Sequence, residues 1–352
     1  MDSHHYISIP DLLPHLPVGD GLVGLDLEAD SLYRYAERIC LVQVCYGGEV
    51  QMLDPLSEEP MGAFVDWLSK AKIWMHGADY DMSLMLGEWG IVPPMIYDTQ
   101  IGAQLLGVTR FGYASLVEQY FGVELSKSSQ KADWGARPLS DKMLEYAKND
   151  VKYLLSLAAK IECQLKEVGR YEWFLESCQT AQMKVLARKS GAKERWRISG
   201  SGKLNSSGMR YLKAIWEWRD AEAAEWNRPS YMVASNKQLL AWASDLDEGG
   251  KIEVTPKMRR DRKTRLMKAV SCARNSPASE WPKKSKKIKR QFDADFEVKL
   301  KELMARKAEI ANELGIESSV IASRSSLELV VSGAKEPNEV LMNWQCKLLG
   351  FA

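Results

Sequence analysis

The chain has 352 residues, 45% of them hydrophobic and 27% charged, with twelve tryptophans, and is long enough to build two or three domains with cores of their own. Its net charge is only +1, yet residues 1–150 carry 10 Lys and Arg against 22 Asp and Glu, a balance of −12 that leaves +13 for the remainder. No apolar run approaches the roughly 20 residues of a membrane span, the first eleven residues lack the basic start and apolar core of a signal peptide, and the six cysteines form no C-x-x-C or Cys/His cluster. A spanning protein, a zinc module and a disulfide scaffold are thereby excluded, and a soluble, cytoplasmic protein with buried thiols is the expectation. The charge asymmetry suggests carboxylates for metal chemistry in front and cations for a polyanion behind.

Residues 1–20 read as an extended piece and a short Pro-bounded turn. Residues 22–26, 39–46 and 50–53 are short runs rich in Val, Ile and Leu, divided by turn signals such as Gly47-Gly48, which predicts a strand meander. Residues 60–70 have helical periodicity, 73–76 a short strand, and 79–89 a helix again. Asp98 caps a helix reaching residue 106, and residues 113–121 and 141–167 complete a mixed sheet flanked by helices. Residues 190–204 are rich in Gly, Ser and Lys and read as a linker. Beyond residue 200 only helices are predicted, over 206–224, 237–243, 262–273 and 296–314, giving two small helical units that meet near residues 282–290.

The chemistry sits at the end of the first strand. In LVGLDLE, residues 22–28, the strand period of two points Asp26 and Glu28 to one face. Two like charges so close raise each other's pKa, and a hard divalent cation, Mg or Mn, resolves the conflict with oxygen ligands. The competing reading of D-x-E alone is a strand running into a polar loop. In HGADYD, residues 76–81, a strand runs into a helix whose first turn holds Asp81, with Asp79 as a second acid nearby; a helix cap or a solvated acid is the plainer reading. In YAKND, residues 146–150, the spacing i, i+4 stacks Tyr146 and Asp150 on one helix face, which by itself fits a buried phenol bonded to an acid.

Two apparent nucleotide motifs fail. Gly19-x-Gly21-x-x-Gly24 leads into a strand, whereas a phosphate loop lies between a strand and a helix N-terminus. Gly202-Lys203 is followed by Leu204 and has no Gly five residues before Gly202. No nucleotide cofactor is expected.

Four carboxylates and one Tyr in this order resemble the DEDDy family of 3′-5′ exonucleases, whose fold is ribonuclease H-like. The segments RICLVQ (38–43), VQMLDP (50–55), YDTQ (97–100), YASL (113–116) and DWGARPL (133–139) look like the landmarks of the ribonuclease D family. LKAIWEWR (212–219), EAAE (222–225) and RPSYMVASNKQL (228–239) resemble an HRDC domain, and residues 296–349 are similar to the second, more divergent such unit in that family. The expected architecture is an α/β, ribonuclease H-like exonuclease domain at 1–195, then all-α HRDC-like domains at 200–280 and 290–352.

The resemblance implies hydrolysis of RNA from its 3′ end to nucleoside 5′-monophosphates with two divalent ions. Asp26 would bridge both ions, Glu28 and Asp150 would complete one, Asp81 would hold the second, and Tyr146 would orient the attacking water. The position of Asp81 relative to His76 favours it over Asp79. Where many relatives carry Thr between the first two acids, this chain has Leu27. The family's substrate class is structured RNA, with tRNA precursors foremost, and a monomer is the default. The cationic stretch holding Arg259, Arg260, Arg262, Lys263 and the run 283–290 reads as a handle for phosphates or as a solvated linker. Lys127 and Arg137 are candidate strand contacts near the acids; Trp134 reads rather as a pin for the loop before the last helix of the first domain. Two other functions fit: a DNA exonuclease for repair, and a non-catalytic nucleic-acid scaffold, the latter opposed by five intact catalytic positions.

Overall fold

In a computed structural model of the chain, the described residues are 6–17, 22–190, 194–254, 258–284 and 295–351. They form two compact units, one comprising Met1–Ala29, Arg38–Lys189 and Ile288–Ala352, the other Asp30–Glu37 and Ser190–Lys287. Among the described residues no helix is long and apolar enough to cross a membrane.

The first unit opens with a short helix α1 (Ile9–Leu12), then strands β1 (Gly24–Ala29), β2 (Ile39–Tyr46) and β3 (Glu49–Leu53). Helix α2 (Gly62–Leu68), β4 (Lys72–Met75), α3 (Asp79–Glu88), β5 (Met95–Asp98) and α4 (Thr99–Leu105) follow. Four more helices close the region: α5 (Tyr113–Phe121), α6 (Asp141–Lys152), α7 (Leu154–Glu167) and α8 (Tyr171–Ser190). The strands make one mixed sheet in the order β3-β2-β1-β4-β5; β1 pairs antiparallel with β2 and parallel with β4.

Strand alternation divides this sheet's residues between two covers. Leu25, Leu27, Val42 and Val44 pack with Phe64 and Leu68 of α2 and Met82 and Met85 of α3. On the other face Cys45 and Trp74 pack with Leu116 of α5, Leu154 and Ile161 of α7 and Phe174 of α8, while Leu41 and Met52 lie under Leu144 and Ala147 of α6. Gly24 allows that second cover to approach: a Cβ there would lie 2.4 Å from Cys45 Sγ and 2.9 Å from Leu154 Cδ2.

Three departures from the sequence expectation have physical causes. Residues 141–167 form two helices, because the chain breaks at Tyr153, whose peptide N–H donates to the Tyr113 hydroxyl at 3.2 Å. Strand β5 escapes notice because four residues after Pro93-Pro94 are too few to show a period. Helix α8 escapes because its inward stripe, Phe174, Cys178, Gln182 and Val185, contains a polar residue; the Gln182 amide accepts from Ile96 N and donates to Pro93 O, at 3.3 and 2.8 Å.

Helices α9 (Ser206–Trp226), α10 (Ser230–Val233), α11 (Asn236–Asp247) and α12 (Arg260–Asn275) build the second unit around Leu212, Ile215, Trp218, Leu239, Trp242 and Leu266. The β1–β2 connection belongs to it, with the Tyr35 hydroxyl donating to Asp220 at 2.8 Å. Helices α13 (Phe296–Leu314), α14 (Ser318–Ile321), α15 (Arg324–Val331), α16 (Pro337–Val340) and α17 (Asn343–Leu349) have a core of their own. They nevertheless fasten to the first unit. Trp344 stacks on Trp173 at 4.9 Å between ring centres, and Arg170 donates to Leu105 O and Leu314 O, each at 2.7 Å. Gly19, Gly21 and residues 285–290 of the cationic run lie outside the described residues.

Gly24→Ala is expected to lower stability by about 1–3 kcal/mol, the usual range for overpacking a core. The urea midpoint reads it directly, and an unchanged midpoint would mean that Leu154 and Cys45 yield freely.

Candidate active site

Asp26 and Glu28 leave β1 on the face opposite Leu25 and Leu27, so the apolar alternation of the strand fixes where the acids point. Asp150 arrives from the last turn of α6. That helix starts at Ser140, whose hydroxyl accepts from Met143 N, and it buries Leu144, Ala147 and Val151. Carboxylate oxygens of Asp26, Glu28 and Asp150 lie within 4.8 Å of one another. All three side chains are half-buried, sunk among the helices yet open at one edge.

Asp81 enters from the first turn of α3 and is 8% exposed. Its approach depends on a sharp turn after β4, where Gly77 takes φ +67°. The Asp98 carboxylate accepts from Gly77 N at 2.9 Å, Ala78 N at 3.0 Å and Gln100 N at 2.8 Å, so one acid caps α4 and holds the turn that delivers another. Asp79 turns away, pairing with Arg188 at 2.8 Å on the exposed surface.

The electrostatics follow from crowding. Burial first, then Asp81 and Asp150, push the carboxyl of Asp26 well above the ordinary range. Burial and then Asp26, Asp150 and Asp81 do the same to Glu28. Burial raises Asp81 to about 7 and Asp150 to about 6. The charged side chains that push Asp26 and Glu28 up are themselves carboxylates. A buried like-charge cluster of this kind with all-oxygen donors fits hard divalent cations.

Tyr146 lies one turn before Asp150 on the same helix face and is held above its ordinary pKa by burial and then by the nearby acids. Its ring leans on Trp134, 6.0 Å away between centres and 1% exposed. Two residues here were read only as parts of motifs. The Tyr113 hydroxyl closes the α6–α7 break behind Asp150, and His76 Nδ1 meets Thr99 Oγ1 at 3.0 Å.

Arg137, expected beside the strand, and Arg262, expected in the cationic handle, both have partners within the chain. Arg137 donates to Asp54 Oδ2 and Oδ1 at 2.8 and 2.6 Å, to Trp134 O at 2.8 Å, to Ala136 O at 2.7 Å and to Cys40 O at 2.6 Å. All five guanidinium N–H groups are engaged, so Arg137 clamps the loop before α6 and has no donor left for a phosphate. Arg262, lying over Trp226 at 4.9 Å, pairs at 3.1 Å with Glu222, whose side chain is 3% exposed, and shares that buried acid with Arg265, which donates to it through two nitrogens. Arg259 pairs with Asp261 at 3.0 Å on the surface. Arg260, Lys263 and Lys127 are exposed and have no ion pair among the described residues.

A family described as 3′-5′ exonuclease matches residues 15–166, the region of the sheet and all five residues of the acidic site. Ribonuclease D of Xanthomonas oryzae is 30% identical over 338 residues, covering 93% of this chain and 90% of its own. Ribonuclease D of Haemophilus influenzae is 27% identical over 340 residues, covering 92% and 84%. The solved Escherichia coli RNase D, described as an exoribonuclease involved in structured RNA processing, shares the fold with a TM-score of 0.72 at 24% identity, over 94% of this chain and 91% of that one. Sheet and match together define a 3′-5′ exonuclease domain of ribonuclease H-like fold, followed by a helical C-terminal region. The chain belongs to the ribonuclease D family and is a 3′-5′ exoribonuclease.

The raised carboxyls set a pH dependence. An acid whose folded pKa exceeds its unfolded one, near 4, supports the fold fully below that value and loses the support as pH rises through the folded value, about 6 for Asp150 and about 7 for Asp81. In EDTA the thermal midpoint is therefore expected to be higher at pH 5 than at pH 7.5, and Asp81→Asn to flatten the difference. A profile independent of pH in the unsubstituted protein would contradict the crowding.

Proposed function

We propose that this chain hydrolyses RNA from the 3′ end to nucleoside 5′-monophosphates with two divalent cations, Mg or Mn, and that its substrates are structured RNAs, tRNA precursors foremost. The observation that carries the reading is the convergence of Asp26, Glu28 and Asp150 within 4.8 Å, with Asp81 acting electrostatically on the first two and Tyr146 under the influence of the third. Asp26 would serve both ions, Glu28 and Asp150 one of them, and Asp81 the other.

When bound, the ion pair supplies Lewis acidity that eases deprotonation of water and offsets charge on the phosphate. The remaining work falls to the protein. Tyr146, kept protonated by burial and by its acidic neighbours, is a donor and not a base; it orients the incoming water while the Trp134 ring beside it keeps it in place. Asp98, Gly77 and the Arg137–Asp54 clamp keep the acids where the ions need them. Being uniformly anionic, the site repels a phosphodiester that arrives without cations, which confines turnover to the loaded enzyme.

The helical second unit, in this reading an HRDC domain, holds the body of the RNA through exposed cations on α12, with Arg260 and Lys263 as the open pair. Lys127 is retained as a contact near the 3′ end. A DNA exonuclease remains the second reading, and matched single-stranded RNA and DNA substrates separate the two through the 2′-hydroxyl.

Asp26→Asn is expected to reduce release of monophosphates from 3′-labelled RNA at least about 1,000-fold while RNA affinity stays within about twofold; full activity would refute the assignment. Asp81→Ala is expected to lose far more activity than Asp79→Ala, and the opposite ranking would exchange their roles. The double substitution Arg260→Ala, Lys263→Ala is expected to weaken RNA binding and make it less salt-dependent, whereas Arg262→Ala, which leaves Glu222 paired with Arg265, is expected to leave RNA affinity nearly unchanged.

A further inference from the structure

Gln43 is fully buried at the centre of the sheet, and neither its amide nitrogen nor its amide oxygen has a hydrogen-bond partner among the described residues. Leaving a buried amide unsatisfied costs free energy that an apolar side chain of the same shape avoids. Apart from Asp26, its neighbours on that face are apolar: it sits opposite Met52 on β3, with Leu41 and Cys45 two residues to either side on β2, beneath the cover to which α6 contributes Leu144 and Ala147. Stability alone therefore favours Leu or Met at this position. The other cross-strand partner of Gln43 is Asp26. Residues directly opposed across antiparallel strands point to the same face with Cβ atoms about 5 Å apart, so the unpartnered amide lies beside the acid that the reading above assigns to both ions.

We propose that Gln43 is a positioning residue for the metal site: its amide, unpartnered in this structure, is placed to turn and donate an N–H to the carboxylate of Asp26, holding it in the orientation that shared ligation of two cations requires. This rests on the two-cation reading. A neutral donor suits the place because a Lys or Arg there would put a fixed cation where the divalent ions belong. Outer partners that orient a ligand typically change metal affinity or activity by about 10–100-fold when removed. The position was visible in the sequence only as part of the RICLVQ segment, with no sign that its amide would be stranded.

The test compares the unsubstituted protein with Gln43→Met and Gln43→Leu in three measurements: thermal midpoint in EDTA, Mn²⁺ affinity by calorimetry, and kcat and KM on a 3′-labelled RNA. The expected result is a midpoint equal to or above that of the unsubstituted protein, Mn²⁺ affinity about tenfold weaker, and kcat about tenfold lower with KM nearly unchanged. Undiminished Mn²⁺ affinity and turnover in either folded variant would overturn the proposal, as would losses of activity that only track a fallen midpoint. If both variants fail to fold, Gln43 is structural and the proposal also falls. Failure of the two-cation reading would look different: the unsubstituted protein itself would bind no Mn²⁺.

Discussion

Mutual repulsion among Asp26, Glu28, Asp81 and Asp150 is the constraint to which the rest of the first unit answers. Each carboxyl is driven above its ordinary pKa by burial, and Asp26 and Glu28 also by the other acids, so the folded chain holds an arrangement that divalent cations would relieve. Such a cluster persists only if the surrounding structure over-determines it. Strand β1 is anchored on one face by Leu25 and Leu27. Helix α6 is fixed from both ends, by the Arg137–Asp54 clamp before it and by the Tyr113–Tyr153 bond after it. The turn into α3 is held by three N–H donors on a single Asp98 carboxylate.

These supports explain why the acids come from three elements far apart in sequence. The first and second lie on a central strand of the sheet, the third on a helix entered from the neighbouring parallel strand, and the fourth on a helix that crosses the sheet. Gly24, having no Cβ, lets Leu154 close onto that sheet and brings the α6–α7 junction within reach of the strand. The phenol of Tyr146 follows without further support, since helical spacing already places it beside Asp150.

Much of this was legible in the amino-acid order because it depends on local periods. The limits of β2 and α5 were read to the residue, and the shared face of Asp26 and Glu28 follows from the strand period alone. The preference for Asp81 over Asp79 rested on family resemblance; in the structure the first carboxylate is buried and the second is tied to Arg188 at the surface. What the sequence hid are partners brought together from a distance. Arg137 and Arg262 were grouped with the open cations because nothing in the letters says that Asp54 or a buried Glu222 waits for them. Likewise the docking of α17 on α8 through Trp344 and Trp173, which makes the last helices part of the first unit, leaves no local pattern.

The central claim is that four carboxylates share a pair of divalent ions. Crystals grown with Mn²⁺ and examined at the manganese absorption edge test it most directly. Two anomalous peaks are expected, one bounded by Asp26, Glu28 and Asp150 and the other by Asp26 and Asp81. Ordered manganese elsewhere, with none among these four acids at a concentration that supports turnover, would contradict the account.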